Sequence, residues 1–443
     1  MSGDGTAVNT KGWYVKMPTR YKVIVAHPGR QHSFRLASAL KHANMLDEYI
    51  TTVYYKRSSK LLRAIAALGG EDNARRVRAR NNNDLNDDEV KQFLQLRGLA
   101  ETLMWRSRDP YRFDRYFQRT SMRFGRRVAS EAVARQVDAV VTYGGHGAEC
   151  FDQLKTCGAR ALKVIDLAGM PKSLLACSYE EIMSDGLHDD LRVEERQSVW
   201  GDRSVERRAK ELALADYCLV PSDYVRNGLI RAGVPEHKIS KVPYGCNFGS
   251  YEVERKHEKN ETIEFLFVGQ VIVRKGALEL LRAFKQLTDA NCHLTVVGKF
   301  DPDAWYVKEL MDLSNVTMCG LLLHDEVRAM FEQSDVFVLP TYNEGMSLSC
   351  LEAMGLGLPV ISTPNAGVSD LLIDGETGYT ISVADEQSLL TALRFFLDDP
   401  SSVRRMGKKA RSVAERYTWD AYEGRIDETF SKWLVNPGAI EGC

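Results

Sequence analysis

Short apolar runs alternate along the chain with segments whose apolar positions recur at helical spacing. The runs are rich in Val, Ile and Leu without strict alternation, which is typical of strands buried on both faces of a parallel sheet. In the first half, strands are predicted at Lys22–Ala26, Tyr49–Tyr55, Ala139–Tyr143, Leu162–Asp166 and Tyr217–Val220. In the second half, strands are predicted at Glu264–Val268, His293–Val297, Val336–Leu339 and Pro359–Ser362.

The segments between these strands carry the helical pattern. Leu278–Leu287 and Leu389–Leu397 have apolar residues three and four positions apart, and one long helical pattern runs from Ser401 to Trp433. Strands that alternate with helices predict parallel sheets covered by helices on both faces. The fold class predicted from the pattern is therefore α/β, with two doubly wound units.

A charged stretch with few large apolar residues, Gly249–Glu261, predicts an exposed linker between the two units. We therefore divide the chain into a flexible segment (1–20), a first domain (21–246), a linker (247–261), a second domain (262–410) and a C-terminal helical segment (411–443).

Composition narrows the possible location of the protein. The 443 residues are 44% hydrophobic and 27% charged with a net charge of −1, an ordinary balance for a soluble globular protein. The nine cysteines show no CxxC spacing, which indicates free thiols in a reducing compartment and no zinc site. The first 20 residues lack the apolar core of a signal peptide, and no run approaches the ~20 apolar residues that span a bilayer. We expect a cytoplasmic protein.

Positive charge is concentrated in one part of the first domain. Residues 51–136 contain 19 Lys and Arg against 10 Asp and Glu, with Trp, Tyr and Phe between the arginines. This pattern suits peripheral attachment to an anionic membrane, at its inner face, or an anionic polysaccharide acceptor. A solvated helix face with aromatic residues in the core explains it equally well. The region contains no nucleic-acid-binding motif, so no nucleic-acid partner is expected.

Two loops in the second half have the chemistry of a phosphate and sugar site. The strand Glu264–Val268 ends at Gly269, and Arg274 and Lys275 follow before the next helix. A glycine at a strand end lets the backbone approach a ligand, and two cations suit a diphosphate. Two adjacent basic residues on a loop can also simply be solvated.

The second loop follows the strand Val336–Leu339 and leads into a helix predicted at Ser347–Leu356. The start of that helix offers free N–H groups and a partial positive charge. Glu344 lies in the loop, and Glu352 lies on the helix, whose side chains tilt towards its N-terminus. Both carboxylates can accept hydrogen bonds from a sugar or ribose. Alternatively, Glu344 complements the helix dipole and Glu352 faces solvent.

The second half resembles the retaining glycosyltransferases of family 4, also called glycosyl transferases group 1. The resemblance rests on PTYNEGMSLSCLEAMGLGLPVISTPNAGVSDLLIDGETGY, on FVGQVIVRKG and on DYCLVPSDYVRNGLIRAGVPEHKISKVPYG. It implies the GT-B fold, in which two Rossmann-like domains face each other across a cleft. It also implies that the C-terminal helical segment crosses back onto the first domain.

The resemblance assigns roles to residues of the second domain. The family's paired glutamates, with seven residues between them, fall on Glu344, which would hold the donor sugar, and on Glu352, which would bind the ribose. The diphosphate lysine falls on Lys275. The family's usual arginine after the loop glycine is replaced by Gln270, and we hypothesise that Arg274 substitutes for it. The other substrate-binding candidates are Asn343, Gly345, Met346 and Ser347.

The first domain contributes candidates at two strand ends. Gly29 resembles the family's loop glycine, and Arg30 and His32 follow it towards the cleft. His146, placed among three glycines, is expected to orient a sugar hydroxyl, with a packing role as the alternative. Asp166 ends the next strand and faces the cleft edge or caps a turn.

The resemblance implies transfer of a sugar from a nucleotide diphosphate sugar to a hydroxyl of a glycan or lipid-linked acceptor, with retention at the anomeric carbon. Lys275, Glu344 and His146 are the expected catalytic residues, and neither a cofactor nor a metal is expected. Synthesis of cell-surface polysaccharide or glycoconjugate is the expected role. The alternatives are a nucleotide-sugar epimerase or phosphorylase on the same fold, a non-catalytic sugar-binding protein, and a nucleic-acid-binding protein.

Overall fold

The structure is a computed structural model that describes residues 21–29, 32–56, 58–59, 77–78, 80–104, 110–186, 188–199, 202–248 and 262–435. Arg30, the N-terminal segment 1–20, most of the linker and part of the basic region lie outside these residues. Predictions for those segments are therefore not addressed by the structure.

The first sheet has seven parallel strands among the described residues, in the order β3-β2-β1-β4-β5-β6-β7. These strands are β1 (Val23–Ala26), β2 (Leu46–Thr51), β3 (Val90–Gln92), β4 (Ala139–Tyr143), β5 (Leu162–Asp166), β6 (Tyr217–Val220) and β7 (Ile239–Lys241).

The second sheet has six parallel strands in the order β10-β9-β8-β11-β12-β13. They are β8 (Ile263–Val268), β9 (Cys292–Val297), β10 (Val316–Gly320), β11 (Val336–Leu339), β12 (Val360–Ser362) and β13 (Gly378–Thr380). The α/β class and its two doubly wound sheets are confirmed.

The sequence pattern misses four strands, and all four lie at sheet edges. They are β3 and β7 in the first sheet and β10 and β13 in the second. An edge strand pairs on one side only, and three of these four have only three residues. Their partly exposed residues lack the continuous apolar run that marks a central strand.

Fifteen described helices cover the sheets. They are α1 (Ser33–His42), α2 (Gln95–Met104), α3 (Pro110–Arg135), α4 (Ala148–Thr156), α5 (Lys172–Ile182), α6 (Asp190–Val199), α7 (Asp202–Leu214), α8 (Asp223–Arg231), α9 (Ala277–Lys285), α10 (Trp305–Met311), α11 (His324–Gln333), α12 (Leu348–Gly355), α13 (Glu386–Asp398), α14 (Ser401–Ala414) and α15 (Trp419–Val435). The side chains between sheet and helices form the core, which includes the fully buried Phe151, Phe265 and Phe337.

The long helical pattern at the C-terminus is two helices, α14 and α15, so the prediction of one helix is wrong. The break coincides with the place where two chain segments cross between the domains. Cys246 N–H donates to the Tyr417 carbonyl at 2.9 Å, and a Cβ on Gly245 would lie 2.4 Å from the Thr418 backbone. Beyond the break, α15 packs against α1, and Trp433 stacks on Tyr217 with ring centroids 4.4 Å apart.

Candidate functional site

Both sheets have the strand order of a doubly wound fold, in which the winding reverses beside the first strand. In the second sheet the reversal lies between β8 and β11, which lead into Gly269 and Pro340. In the first sheet it lies between β1 and β4, which lead into His27 and Gly144. Ligands of open α/β sheets bind in the crevice at this point. The loops that carry the predicted residues are therefore the loops that the topology places at the crevices.

The predicted diphosphate loop, residues 269–276, is held against the end of β11. After Gly269, the chain forms a short 3-10 turn, Val273–Lys275, and leaves it through Gly276 at φ 85°. A Cβ on Gly276 would lie 2.3 Å from the Pro340 carbonyl oxygen, so only glycine fits both the backbone angle and the space. Gln270 is exposed on this loop.

Arg274 and Lys275 converge on the Glu344 carboxylate. Glu344 Oε1 lies 2.5 Å from Lys275 Nζ and accepts a hydrogen bond of 2.7 Å from Arg274. Burial alone would raise the pKa of Glu344, but Lys275 and Arg274 hold it below its ordinary value. The structure thus brings together three of the predicted residues, which come from two separate loops.

Helix α6 of the first domain reaches across to the same loop. Glu195 accepts from Arg274 Nε at 2.9 Å, and Glu194 accepts from the Val273 and Arg274 backbone N–H groups at 3.0 and 3.4 Å. A diphosphate would have to share these donors with the two carboxylates. No local signal in the sequence marks this contact, because α6 is about 80 residues away along the chain. The hypothesis that Arg274 replaces an arginine at Gln270 stays a prediction.

The predicted donor loop, residues 341–346, contacts the first domain at several points. A Cβ on Gly345 would lie 1.8 Å from the Ala168 carbonyl oxygen, and Ser222 Oγ donates to the Gly345 carbonyl at 2.5 Å. Tyr224 donates to Asn343 Oδ1 at 3.2 Å. Met346 is buried with its sulfur 3.3 Å from the Tyr244 amide nitrogen. The loop is thus shaped by the first domain as much as by its own strand.

Helix α12 starts at the end of this loop and carries Glu352. Ser347 caps the helix, its hydroxyl accepting from Cys350 N–H at 3.3 Å. Glu352 lines a small cavity of about 40 Å³ together with Asn247, His324 and Arg328. Burial raises the pKa of Glu352 above its ordinary value. The second predicted carboxylate therefore faces a pocket apart from the Glu344 ion pairs.

In the first domain, the turn after β1 is held by hydrogen bonds to the side chains of His27 and of Thr51 in β2. Gly29 N–H donates to His27 Nδ1 at 2.8 Å, and Thr51 Oγ1 donates to the Gly29 carbonyl at 3.2 Å. A Cβ on Gly29 would lie 3.0 Å from the His27 ring. Gly29 thus occupies a tight position at the start of the loop that continues into Arg30.

His146 lies at the end of β4 and is 5% exposed. Its Nδ1 lies 2.9 Å from Ser121 Oγ, and its ring packs edge-on against His27 and Phe117 with centroids 5.1 Å away in each case. Burial and the nearby His27 and Arg208 lower its pKa well below the ordinary value of 6.5, so the imidazole is neutral at pH 7. Its expected role with a sugar hydroxyl stays a prediction.

The loop that carries His146 is fixed by Glu211 of α7. This fully buried carboxylate accepts from the N–H groups of Gly145 and Gly147 at 2.7 Å each and of Ala148 at 3.2 Å. It thereby satisfies donors at the start of α4, where a negative charge also complements the helix dipole. Sequence reasoning missed Glu211, because it lies more than 60 residues from the loop it holds.

We expect Glu211→Ala to destabilise the protein by about 3 kcal/mol, because it leaves three buried N–H groups without their acceptor. The midpoint of urea unfolding, followed by circular dichroism, measures this loss. Glu206→Ala is the matched control, since Glu206 is exposed on the same helix. Equal midpoints for the two variants would contradict a supporting role for Glu211.

His32 and Asp166, which the sequence placed at separate strand ends, meet in the structure. His32 Nε2 lies 3.1 Å from Asp166 Oδ2 and 3.0 Å from the Tyr244 hydroxyl. Asp166 is 4% exposed, so its carboxylate is paired inside the first domain. Through Tyr244, whose amide contacts Met346, the pair connects to the donor loop of the second domain.

The described residues contain no group of three or more His, Cys, Asp or Glu side chains arranged to hold a metal ion. The sequence has one Asp-x-Asp triplet, Asp301 to Asp303, and both of its carboxylates are exposed in the loop after β9. Within the same described ranges, no helix is long and apolar enough to cross a membrane.

Sequence comparison relates the second half of the chain to glycosyltransferases. The family model of glycosyl transferases group 1 matches residues 251–413. A sulfoquinovosyl transferase from Arabidopsis thaliana is 29% identical over 226 residues, which are 48% of this chain and 44% of that protein. A lipopolysaccharide 1,2-N-acetylglucosaminetransferase from Salmonella typhimurium is 26% identical over 49% of this chain and 62% of its own length. The chain thus spans about half the length of the curated relatives it matches.

Structural comparison establishes the fold over nearly the whole chain. Sucrose-phosphate synthase from Thermosynechococcus elongatus superimposes with a TM-score of 0.67 at 17% identity, covering 94% of this chain and 100% of the other. Anabaena Alr3699/HepE in complex with UDP and glucose gives a TM-score of 0.57 at 14% identity, covering 93% and 100%. The fold is GT-B, with two Rossmann-like domains, as the sequence predicted.

Proposed function

We propose that this protein is a retaining glycosyltransferase that moves a sugar from a nucleotide diphosphate sugar to a hydroxyl of a glycan or lipid-linked acceptor. The observation that carries the proposal is the convergence of Lys275 and Arg274 on Glu344 at the crevice of the second sheet. The match of residues 251–413 to glycosyl transferases group 1 supports it. The two sequence relatives described above, both named as glycosyl-type transferases, support it as well.

In the proposed reaction, the bond between the anomeric carbon and the diphosphate oxygen breaks, and a bond to the acceptor oxygen forms on the same face. The Lys275 ammonium stabilises the charge that develops on the leaving diphosphate, and the acceptor proton passes to that phosphate. Glu344, held as a carboxylate by its two cations, accepts hydrogen bonds from the donor sugar. This scheme needs no metal or cofactor.

Two further parts of the proposal concern the ribose of the donor and attachment of the protein to a membrane. Glu352, in its own pocket beside Asn247 and His324, would hold the ribose. The exposed arginines of α3 support peripheral attachment to an anionic membrane surface, where a lipid-linked acceptor resides. They include Arg115, Arg119, Arg123 and Arg126. Cell-surface polysaccharide or glycoconjugate synthesis is the role that fits.

The test is a panel of UDP-, GDP- and ADP-sugars with thermal unfolding as the readout. The cognate donor at a hundred times its Kd should stabilise the protein by about 2.7 kcal/mol, because it binds only the folded state. A sugar without nucleotide serves as the control. If no nucleotide sugar raises the Tm, the proposal fails. Incubation of the cognate donor without acceptor then separates transfer from epimerisation.

A further inference from the structure

The first domain contains a cavity of about 370 Å³ between α7 and α8, below the carboxyl end of β5. Its walls are mainly apolar, with contributions from Leu167, Met170, Val205, Leu212 and Leu229. Three cationic side chains line it: Lys172 at the start of α5, Arg208 on α7, and Lys238 in the turn before β7. Nothing in the proposed donor chemistry uses this cavity.

Neither Lys172 nor Arg208 forms a direct ion pair with a described carboxylate, although the charges of Glu195 and Glu211 act on them. Within the described part of the chain, neither Lys172 nor Arg208 makes a hydrogen bond or ion pair, and Arg208 Nε is buried without an acceptor. Burial, with the charge of Arg208, lowers the pKa of Lys172 to about 8, and burial also lowers that of Arg208. Keeping two like charges together in a partly buried place is unfavourable unless an anion joins them.

The N-terminus of α5 lines the same cavity. Pro171 precedes this 11-residue helix, no side chain caps it, and its first turn holds no acidic residue. The first N–H groups of an uncapped helix are free donors and carry a partial positive charge. Lys172 and Ser173, the first two helical residues, both line the cavity. Backbone donors and two cations therefore surround one space, an arrangement that suits a phosphate.

The two carboxylates nearest to this space are already engaged. Glu211, which also lines the cavity, accepts three backbone N–H groups at the start of α4. Glu195, whose charge acts on Lys172, is paired with Arg274 at 2.9 Å. Neither one supplies the missing counter-charge to Lys172 and Arg208 through a direct ion pair.

The cavity adjoins the proposed reaction centre. Ala168 is the residue whose carbonyl packs on Gly345 of the donor loop, and its two neighbours, Leu167 and Gly169, line the cavity. On the other side, the Arg208 guanidinium lies against Gly144 and Gly145, beside His146. A molecule anchored in the cavity can therefore extend into the cleft between His146 and the donor loop.

We infer that Lys172, Arg208 and the N-terminus of α5 bind the phosphate group of a phosphate-bearing acceptor. The role of this ligand as the acceptor rests on the proposed transferase function. The phosphate-binding site itself is argued independently, from the cavity and its cations. The apolar walls receive the carbon skeleton that carries the phosphate. The phosphate belongs either to a soluble phosphorylated polyol or to a lipid phosphate at a membrane surface.

The test measures binding of inorganic phosphate by calorimetry in the presence of saturating UDP, which fills the proposed diphosphate site. We expect wild-type protein to bind phosphate, and Lys172→Gln and Arg208→Gln each to weaken that binding about tenfold or more, since each removes a charged donor. Lys238→Gln is the matched control. Lys238 lines the same cavity from the turn before β7, and its Nζ lies 3.5 Å from the Ala215 carbonyl oxygen. Unfolding curves should show that the variants remain folded.

Each result of this experiment decides the inference. Phosphate binding that is lost in Lys172→Gln and Arg208→Gln but kept in Lys238→Gln supports it. Binding that both variants keep, or no phosphate binding in the wild type, overturns it. If UDP itself does not bind, the donor proposal fails separately, and phosphate binding is then measured on Lys275→Gln, whose diphosphate site has lost its lysine.

A second arm identifies the source of the phosphate. Sedimentation with vesicles of phosphatidylcholine containing phosphatidic acid is compared with pure phosphatidylcholine vesicles. Binding to the acidic vesicles that Lys172→Gln weakens, and that inorganic phosphate competes away, assigns a lipid phosphate. Phosphate binding in calorimetry without such a vesicle effect assigns a soluble phosphorylated acceptor. Vesicle binding that is unchanged in Lys172→Gln is attributed to the α3 arginines and contradicts binding of a lipid phosphate in the cavity.

Discussion

Gly345→Ala should reduce the rate of sugar transfer about a hundredfold while the protein stays folded. The added Cβ would lie 1.8 Å from the Ala168 carbonyl oxygen and 2.5 Å from its carbon, and both atoms belong to the backbone of the other domain. Neither backbone can yield without moving the donor loop or separating the domains. A displacement of about 1 Å at a reacting centre is enough for such a loss. Steady-state kinetics with the cognate donor measures it.

Two further variants make the Gly345 result specific. Gly424→Ala adds the same methyl group inside α15, where it would meet no atom within 4 Å, and should leave transfer unchanged. Ser222→Ala removes the hydrogen bond to the Gly345 carbonyl without adding an atom, and should cause a smaller loss than Gly345→Ala. Wild-type kinetics in Gly345→Ala would show that the contact between the donor loop and Ala168 has no part in transfer.

Lys275→Gln should lower kcat by about a hundredfold to a thousandfold, the loss typical when one donor to a developing negative charge is removed. In the structure Lys275 Nζ lies 2.5 Å from Glu344 Oε1, so the ammonium is already positioned beside the carboxylate that is proposed to bind the donor sugar. Glu344 keeps its 2.7 Å contact with Arg274 in the variant, so the fold should survive. Donor-induced thermal stabilisation should fall together with kcat.

The control for Lys275 is Lys285→Gln on the adjoining helix α9. Lys285 forms an exposed ion pair with Glu309 at 3.5 Å, far from the crevice, and exposed pairs contribute little. Its loss should change neither kcat nor donor binding. If Lys275→Gln kept wild-type turnover, the leaving group would need a different source of charge stabilisation, and the proposed mechanism would be wrong.

The central strands could be predicted from sequence because they are apolar on both faces. β1, β4 and β11 consist almost wholly of buried residues, and their predicted bounds differ from the observed ones by at most one residue. β3 and β13 could not be found in this way, since three-residue edge strands have partly exposed residues and no periodic signal. The helical pattern also continued through the break between α14 and α15, where Gly245 packs against the Thr418 backbone.

The same division holds for the candidate site. Lys275 and Glu344 could be proposed together from sequence because each lies in a local strand–loop–helix pattern at a strand end. Two other contacts of the site could not be predicted from sequence. Glu195 reaches Arg274 from the other domain, and Glu211 holds the His146 loop from a distant helix. Such contacts depend on how the helices pack on the sheets. No short stretch of sequence determines that packing.

By itself, the sequence determined the α/β class, the two parallel sheets and the loops that are proposed to bind the donor. These features follow from local hydrophobic burial and from the rule that parallel strands present their carboxyl ends at one edge. Only the tertiary structure decided which charges meet. It placed Arg274 and Lys275 on Glu344, paired His32 with Asp166, and brought Lys172 and Arg208 to one cavity, where no described carboxylate forms a direct ion pair with either. Ion pairing and desolvation act over a few ångströms in space, whatever the separation along the chain.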